Sequence, residues 1–170
     1  MRTKYISYQE TGRFSQLICD YLGEEDKLKP FYGFHPNLEN FKEQIDLKKL
    51  HYPKDVRSVL VKSLKKQYSE IQTNKSVSRN LKLLEKENTF TVTTGHQLCL
   101  MTGPLYFIYK IITTINLCRK LELKYPKFNF VPIYWMASED HDFEEISAFR
   151  HFDKTVKWKS NSVGLPVGKM

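Results

Sequence analysis

At 170 residues the chain can hold one ordinary domain with a real core, and 41% hydrophobic and 14% aromatic content with only seven glycines and seven prolines excludes a disordered or low-complexity polymer. The net charge of +8, from 27 basic and 19 acidic side chains, suits an anionic partner such as a phosphorylated or carboxylated small molecule or a nucleic acid, but the lysines are spread out, as on solvated helix faces. Three cysteines (Cys19, Cys99 and Cys118) without a CxxC spacing argue against a disulfide framework or a zinc site, and the absence of a signal-like or membrane-length apolar run points to the cytoplasm.

In chain order, Phe14 to Leu22 predicts a short helix closed at Gly23, and the aromatic segment Phe31 to Pro36 should pack onto another element. After Pro53, the residues Val56, Val59, Leu60, Leu64, Tyr68 and Ile71 recur at helical spacing, with Lys62, Lys65 and Lys66 on the wet side. Ser76 should start a second helix carrying Val77, Leu81 and Leu84, with a stop at Asn88. Residues 1–88 therefore read as a mainly helical lead-in.

The texture changes at residue 89. Phe90-Thr91-Val92-Thr93-Thr94 is β-branched and predicts a strand ending at Gly95. A loop over 95–103 follows. Pro104 then opens a helix of about five turns, apolar nearly all round, which predicts burial on more than one side. Pro126 stops it. Phe130 to Ala137 is the next strand, apolar on both faces as central parallel strands are. Two weaker strands are expected at Ala148 to Phe152 and Thr155 to Trp158. The order strand, helix, strand predicts an α/β fold with a parallel sheet. One parallel pair does not complete such a sheet, and the stretch Val163 to Met170 offers no helix or strand for its edge, so a truncated chain is expected.

Both strands lead into polar motifs. After the first come Thr94-Gly95-His96-Gln97 and Thr102-Gly103-Pro104-Leu105-Tyr106; after the second comes Ser138-Glu139-Asp140-His141-Asp142-Phe143-Glu144-Glu145. In a parallel unit the two loops leave the same sheet edge, where open α/β proteins bind ligands. Gly95 is expected to let the backbone turn sharply. The first turn of the helix after Gly103 would offer amides and a favourable dipole to an anion, with Thr102 as cap or hydroxyl donor. His96 either caps a turn or touches phosphate or ribose. The three carboxylates and one imidazole of Glu139–Asp142 can bind an ammonium, hold a divalent cation, or act as general acid and base; two aspartates around His141 do not make a zinc spacing. Glu144 and Glu145 read as the start of the next segment. Cys99, between Leu98 and Leu100, reads as a small buried hydrophobe, and Cys19 and Cys118 as core.

These motifs, with Tyr134-Trp135-Met136-Ala137 leading into the acidic loop and Ile146 after it, resemble the bacillithiol biosynthesis family BshC, the cysteine-adding enzymes, in order and spacing over essentially the whole chain. The resemblance implies a Rossmann-like core similar to class I nucleotidylyl transferases, of which residues 89–170 would be the first half. It implies a longer protein, forming homodimers through a coiled coil absent here. The implied reaction joins the carboxylate of cysteine to the amine of glucosaminyl malate. Carried over, the pocket residues are Gly95, His96, Gln97, Thr102, Gly103, Ser138, Glu139, Asp140, His141 and Asp142. Asp140 would hold the cysteine ammonium and His141 would act as acid–base, while His96 and the helix start would face a phosphate or the malate carboxylates. Two positions depart from the family pattern: a glutamine is expected where His96 stands, and Asn-His where Ser147-Ala148 stand. No cofactor is named by the residues; a nucleotide such as ATP is the class to test. Nucleic acid and membrane are not expected partners, since the key loops are acidic or neutral. The other reading is a non-catalytic small-molecule or nucleotide binding module.

Overall fold

The computed structural model of the chain describes residues 3–100, 103–160 and 164–170. Thr102 and Val163, both named above, lie outside the described residues. The chain divides after Tyr52 into two compact units.

The first unit is helical. Helix α1 (Tyr8–Thr11) starts with a reciprocal cap: the Ser7 side chain accepts the Glu10 amide while the Glu10 carboxylate accepts the Ser7 amide. Helix α2 (Gln16–Leu22) is capped by Ser15 and ends at Gly23, where the sequence puts its end. Tyr21 on α2 meets Tyr32 edge-on at 5.5 Å and His35 at 5.3 Å, so the aromatic segment does pack onto a helix, although Phe31 itself stays exposed. Helix α3 (Phe41–His51) leaves no sequence signal because Ile45 is its one buried residue, too little for an apolar stripe.

The second unit holds the sheet. Helix α4 (Lys54–Gln67) begins just after Pro53, and α5 (Lys75–Leu83) begins at Asn74, whose side chain accepts the Val77 amide at 3.0 Å. The latter ends before the expected stop at Asn88, where the chain turns to bury Leu84. Strand β1 (Thr89–Gln97), helix α6 (Leu105–Lys124) and strand β2 (Asn129–Ala137) follow. The strands pair in parallel, from Thr89 beside Asn129 to Gln97 beside Ala137. A separate antiparallel hairpin, β3 (Ala148–His151) and β4 (Lys154–Lys157), matches the two weaker strand expectations.

Strand alternation divides the packing into layers. Val131 and Ile133 face α4 and α5, meeting Val61, Leu64, Leu83 and Leu84. On the other face α6 contributes Leu121, fully buried, and Phe107, which meets Tyr134 edge-on at 5.6 Å. The sequence predicts burial of α6 on more than one side, but Leu105, Ile108, Tyr109 and Ile112 are exposed. A two-stranded sheet covers only one side of a helix. For the same reason β2 is buried at Phe130 and Val131 but open at Trp135 and Met136.

The amino edge of the sheet is locked by polar side chains. Arg57 of α4 donates to Leu84 O and to Thr89 O, both at 3.0 Å. Thr89, 1% exposed, donates its hydroxyl to Leu83 O at 2.6 Å. Asn88 donates to Lys127 O at 2.8 Å, and Asn129 to the Asn88 side chain at 3.1 Å. Carbonyls that α5 and β1 leave over at their ends are thereby satisfied.

Candidate functional site

Because β1 and β2 are parallel and end side by side, with His96 beside Met136 and Gln97 beside Ala137, both polar loops leave the carboxyl edge of the sheet. The first expectation needs correction in one respect. Gly95 is not a turn; it lies inside β1, which runs on to Gln97. Glycine stands there because a Cβ would come 2.8 Å from Trp135 O and 3.0 Å from Trp135 Cβ on the neighbouring strand. The turn is made at Gly103, with φ of 62°, where a Cβ would meet Cys99 Sγ at 2.6 Å. Pro104 is the extended residue before α6, so the free amides of the first helical turn begin at Leu105.

His96 is 9% exposed and both its ring nitrogens are engaged. Nδ1 lies 3.0 Å from Gln97 O, and a carbonyl only accepts, so Nδ1 carries the hydrogen. Nε2 lies 2.7 Å from the Tyr106 hydroxyl. The ring also meets Phe107 edge-on at 5.7 Å. Tyr134 of β2 donates its hydroxyl to His96 O at 3.4 Å; burial, with the Cys99 thiol adding to it, holds that hydroxyl above the ordinary tyrosine range. Lys110, one turn beyond Tyr106 on the same side of α6, donates to Gly95 O. The end of β1 is thus a closed polar cluster whose outward member is Tyr106, 55% exposed.

The acidic loop is arranged differently. Glu139 is exposed and accepts from the Trp135 indole at 3.3 Å. Asp140 is half-buried, and its carboxylate accepts the Asp142 amide at 3.1 Å. His141 and Asp142 are exposed. Glu144 and Glu145 fall in a short 3-10 turn, Phe143–Glu145, as the start of the next segment. The backbone of the loop is held from outside. Val167 N–H donates to Asp140 O at 2.7 Å and Gly168 N–H to Ser138 O at 2.9 Å. The closing stretch, expected to add no helix or strand at the sheet edge, forms a 3-10 turn (Val167–Lys169) that tethers the loop.

The structure thus brings His96, Gln97, Ser138 and the acidic loop to one edge, and adds Tyr106, Lys110, Tyr134, Val167 and Gly168, which sequence reasoning left out of the site. Tyr106 and Lys110 carry a readable signal, an i, i+4 polar pair in the apolar first half of the helix. The tether through Val167 and Gly168 uses backbone amides and has none. Among the described residues no group of three histidines, cysteines or carboxylates is placed to hold a metal. An anion, such as a nucleotide phosphate, would meet the backbone amides that begin α6. Two concavities of about 480 and 600 Å³ lie along α4 and α5, but neither is lined by a residue of the two loops at the carboxyl edge, and in the first Lys54 is paired with Glu87 at 2.6 Å and Lys65 with Glu85. The convergent polar chemistry is at the carboxyl edge, and we place the candidate site there.

A parallel pair with a helical crossover, helices on both faces and polar loops at the carboxyl edge make this a Rossmann-like α/β domain. Residues 1–170 match the family described as "Bacillithiol biosynthesis BshC, N-terminal Rossmann-like domain", and the chain belongs to that family. It is 53% identical over 171 residues to a protein of Flavobacterium psychrophilum and 54% identical over 170 residues to one of Flavobacterium johnsoniae, in each case across 100% of this chain and 32% of the relative. A Bacillus cereus (strain Q1) protein is 32% identical over 148 residues, 86% of this chain and 26% of its own length. All three bear the name "Putative cysteine ligase BshC". The chain thus spans about a third of the length of its first two relatives. No helix among the described residues is long and apolar enough to cross a membrane.

Proposed function

We propose that the chain is the N-terminal part of a cysteine ligase of bacillithiol biosynthesis, which forms the amide bond between the carboxylate of cysteine and the amine of glucosaminyl malate. The observation that carries this reading is identity above 50%, over the whole chain, to relatives named for cysteine ligation. The carboxyl edge supplies suitable groups. Asp140, its carboxylate steadied by the Asp142 amide, would hold the cysteine ammonium through a charge-assisted hydrogen bond. The exposed His141 would move a proton to or from the reacting groups. The first amides of α6 would face a phosphate or the malate carboxylates. Small-molecule substrates, a cytoplasmic setting and dimerisation of the complete enzyme through a coiled coil belong to the same proposal.

The test is product formation from cysteine and glucosaminyl malate, with and without ATP, read by mass spectrometry on this chain and on the complete enzyme. Product from the complete enzyme supports the ligase. Binding of both substrates without product from either would make the domain a non-catalytic binding module instead.

A further inference from the structure

We propose that the Tyr106 hydroxyl is a substrate-contacting group that accepts a hydrogen bond from an amine or ammonium N–H, and that His96 is the positioning residue that orients it. The argument runs through hydrogen-bond polarity. The Gln97 carbonyl can only accept, so Nδ1 of His96 carries a proton in the neutral ring, and Nε2 is left as an acceptor. Its partner among the described residues, at 2.7 Å, is the Tyr106 hydroxyl, which must then donate. A phenol has one hydrogen. With that hydrogen spent on His96, the hydroxyl has only lone pairs to offer a ligand, and they suit a donor such as an amine or ammonium N–H.

The surroundings fix this arrangement. His96 is buried against Phe107 and beneath Tyr106, whereas more than half of Tyr106 is exposed, at the start of α6 beside the loop that closes on Gly103. Among the described residues, Lys110 of α6 and Tyr134 of β2 also reach the end of β1. Lys110 is held on Gly95 O and Tyr134 on His96 O. Neither competes for Nε2. A second proton on His96 would make Nε2 a donor. Tyr106 would then accept from the ring and turn its own hydrogen outward, against an incoming N–H. The identity of the amine rests on the ligase reading, where cysteine and glucosaminyl malate both carry one.

Two experiments test the proposal together. In the 170-residue chain, nitrogen-15 spectra of labelled histidine should show His96 with a protonated Nδ1 and an acceptor Nε2. Tyr106→Phe should move the Nε2 resonance and leave Nδ1 in place. A neutral ring protonated on Nε2 overturns the proposal. In the complete ligase carrying this domain, Tyr106→Phe should raise KM for one amine substrate by about tenfold or more, the loss expected for a hydrogen bond to a charged group. His96→Gln keeps an acceptor for the hydroxyl and should rescue the substrate affinity that an apolar residue at this position loses, with KM for that amine substrate below that of His96→Leu. His96→Leu should lose what His96→Gln retains. Unchanged kinetics in Tyr106→Phe would sink the role of the hydroxyl. A wild-type enzyme that makes no product would instead sink the ligase reading, and the spectra would still decide which way the hydroxyl points.

Discussion

The two edges of the same parallel pair are built on opposite plans. At the amino edge, Arg57, Asn88, Thr89 and Asn129 are spent on internal hydrogen bonds, and Phe130 and Val131 beside them are buried. At the carboxyl edge Trp135 and Met136 stand open, Glu139 and Asp142 are exposed, Asp140 is half-buried, and the acidic loop is tethered through its backbone by Val167 and Gly168. Polar residues at the first edge fix the register of the strands. Those at the second are the ones we propose a ligand meets. The end of β1 combines the two plans, since His96 is closed in while Tyr106 remains open.

This contrast can be broken at the amino edge first. Arg57→Ala removes two charge-assisted hydrogen bonds and strands the Leu84 and Thr89 carbonyls, so it should cost about 3 kcal/mol of stability. Calorimetry should read a fall in Tm of about 6–12 °C. Asp140→Asn should do the reverse: Tm within about 2 °C, as for a substitution away from buried contacts, but product formation in the complete ligase reduced about a hundredfold. Retained turnover would remove Asp140 from the proposed role.

Smaller effects sharpen the picture. Val167→Pro deletes one N–H, the donor to Asp140 O, and leaves the residue's turn otherwise intact. It should cost about 1 kcal/mol and speed amide exchange in residues 138–142, with no change at Thr89. The smallest effect concerns Cys118, whose thiol is pushed up to about 11 by burial, with the Glu122 carboxylate adding to it. Its folded value lies above the ordinary 9.0, so the native state favours the neutral thiol. That contribution to stability is complete below about pH 9 and is lost as pH rises toward about 11. Alkylation followed by mass spectrometry at pH 8 should label the half-buried Cys19 and Cys99 well before Cys118.

Much of this was legible in the residues themselves. The β-branched run 90–94, the long apolar helix after Pro104 and the apolar run 130–137 mark a parallel pair by texture alone, and the acidic loop declares itself by where it follows a strand. What escaped reading has physical causes. Gly95 looks like a turn but serves the close approach of Trp135, a tertiary fact. The exposed stripe of α6 depends on how many strands lie beneath it. His96 reads equally as a turn cap or as a phosphate or ribose contact until its partners are known, and those partners lie at Gln97 and, ten residues on, at Tyr106 of α6. The tether from Val167 and Gly168 is made of backbone amides, which every sequence carries and none advertises.

The central claim is that ligands bind at the carboxyl edge. The most direct test is an amide-shift titration of the labelled chain with cysteine and with glucosaminyl malate. The account predicts perturbations at Asp140–Asp142 and at Leu105–Phe107, with Arg57, Asn88 and Asn129 unmoved. Perturbations confined to Lys54, Lys62 and Lys65, along the concavity on α4, would contradict it.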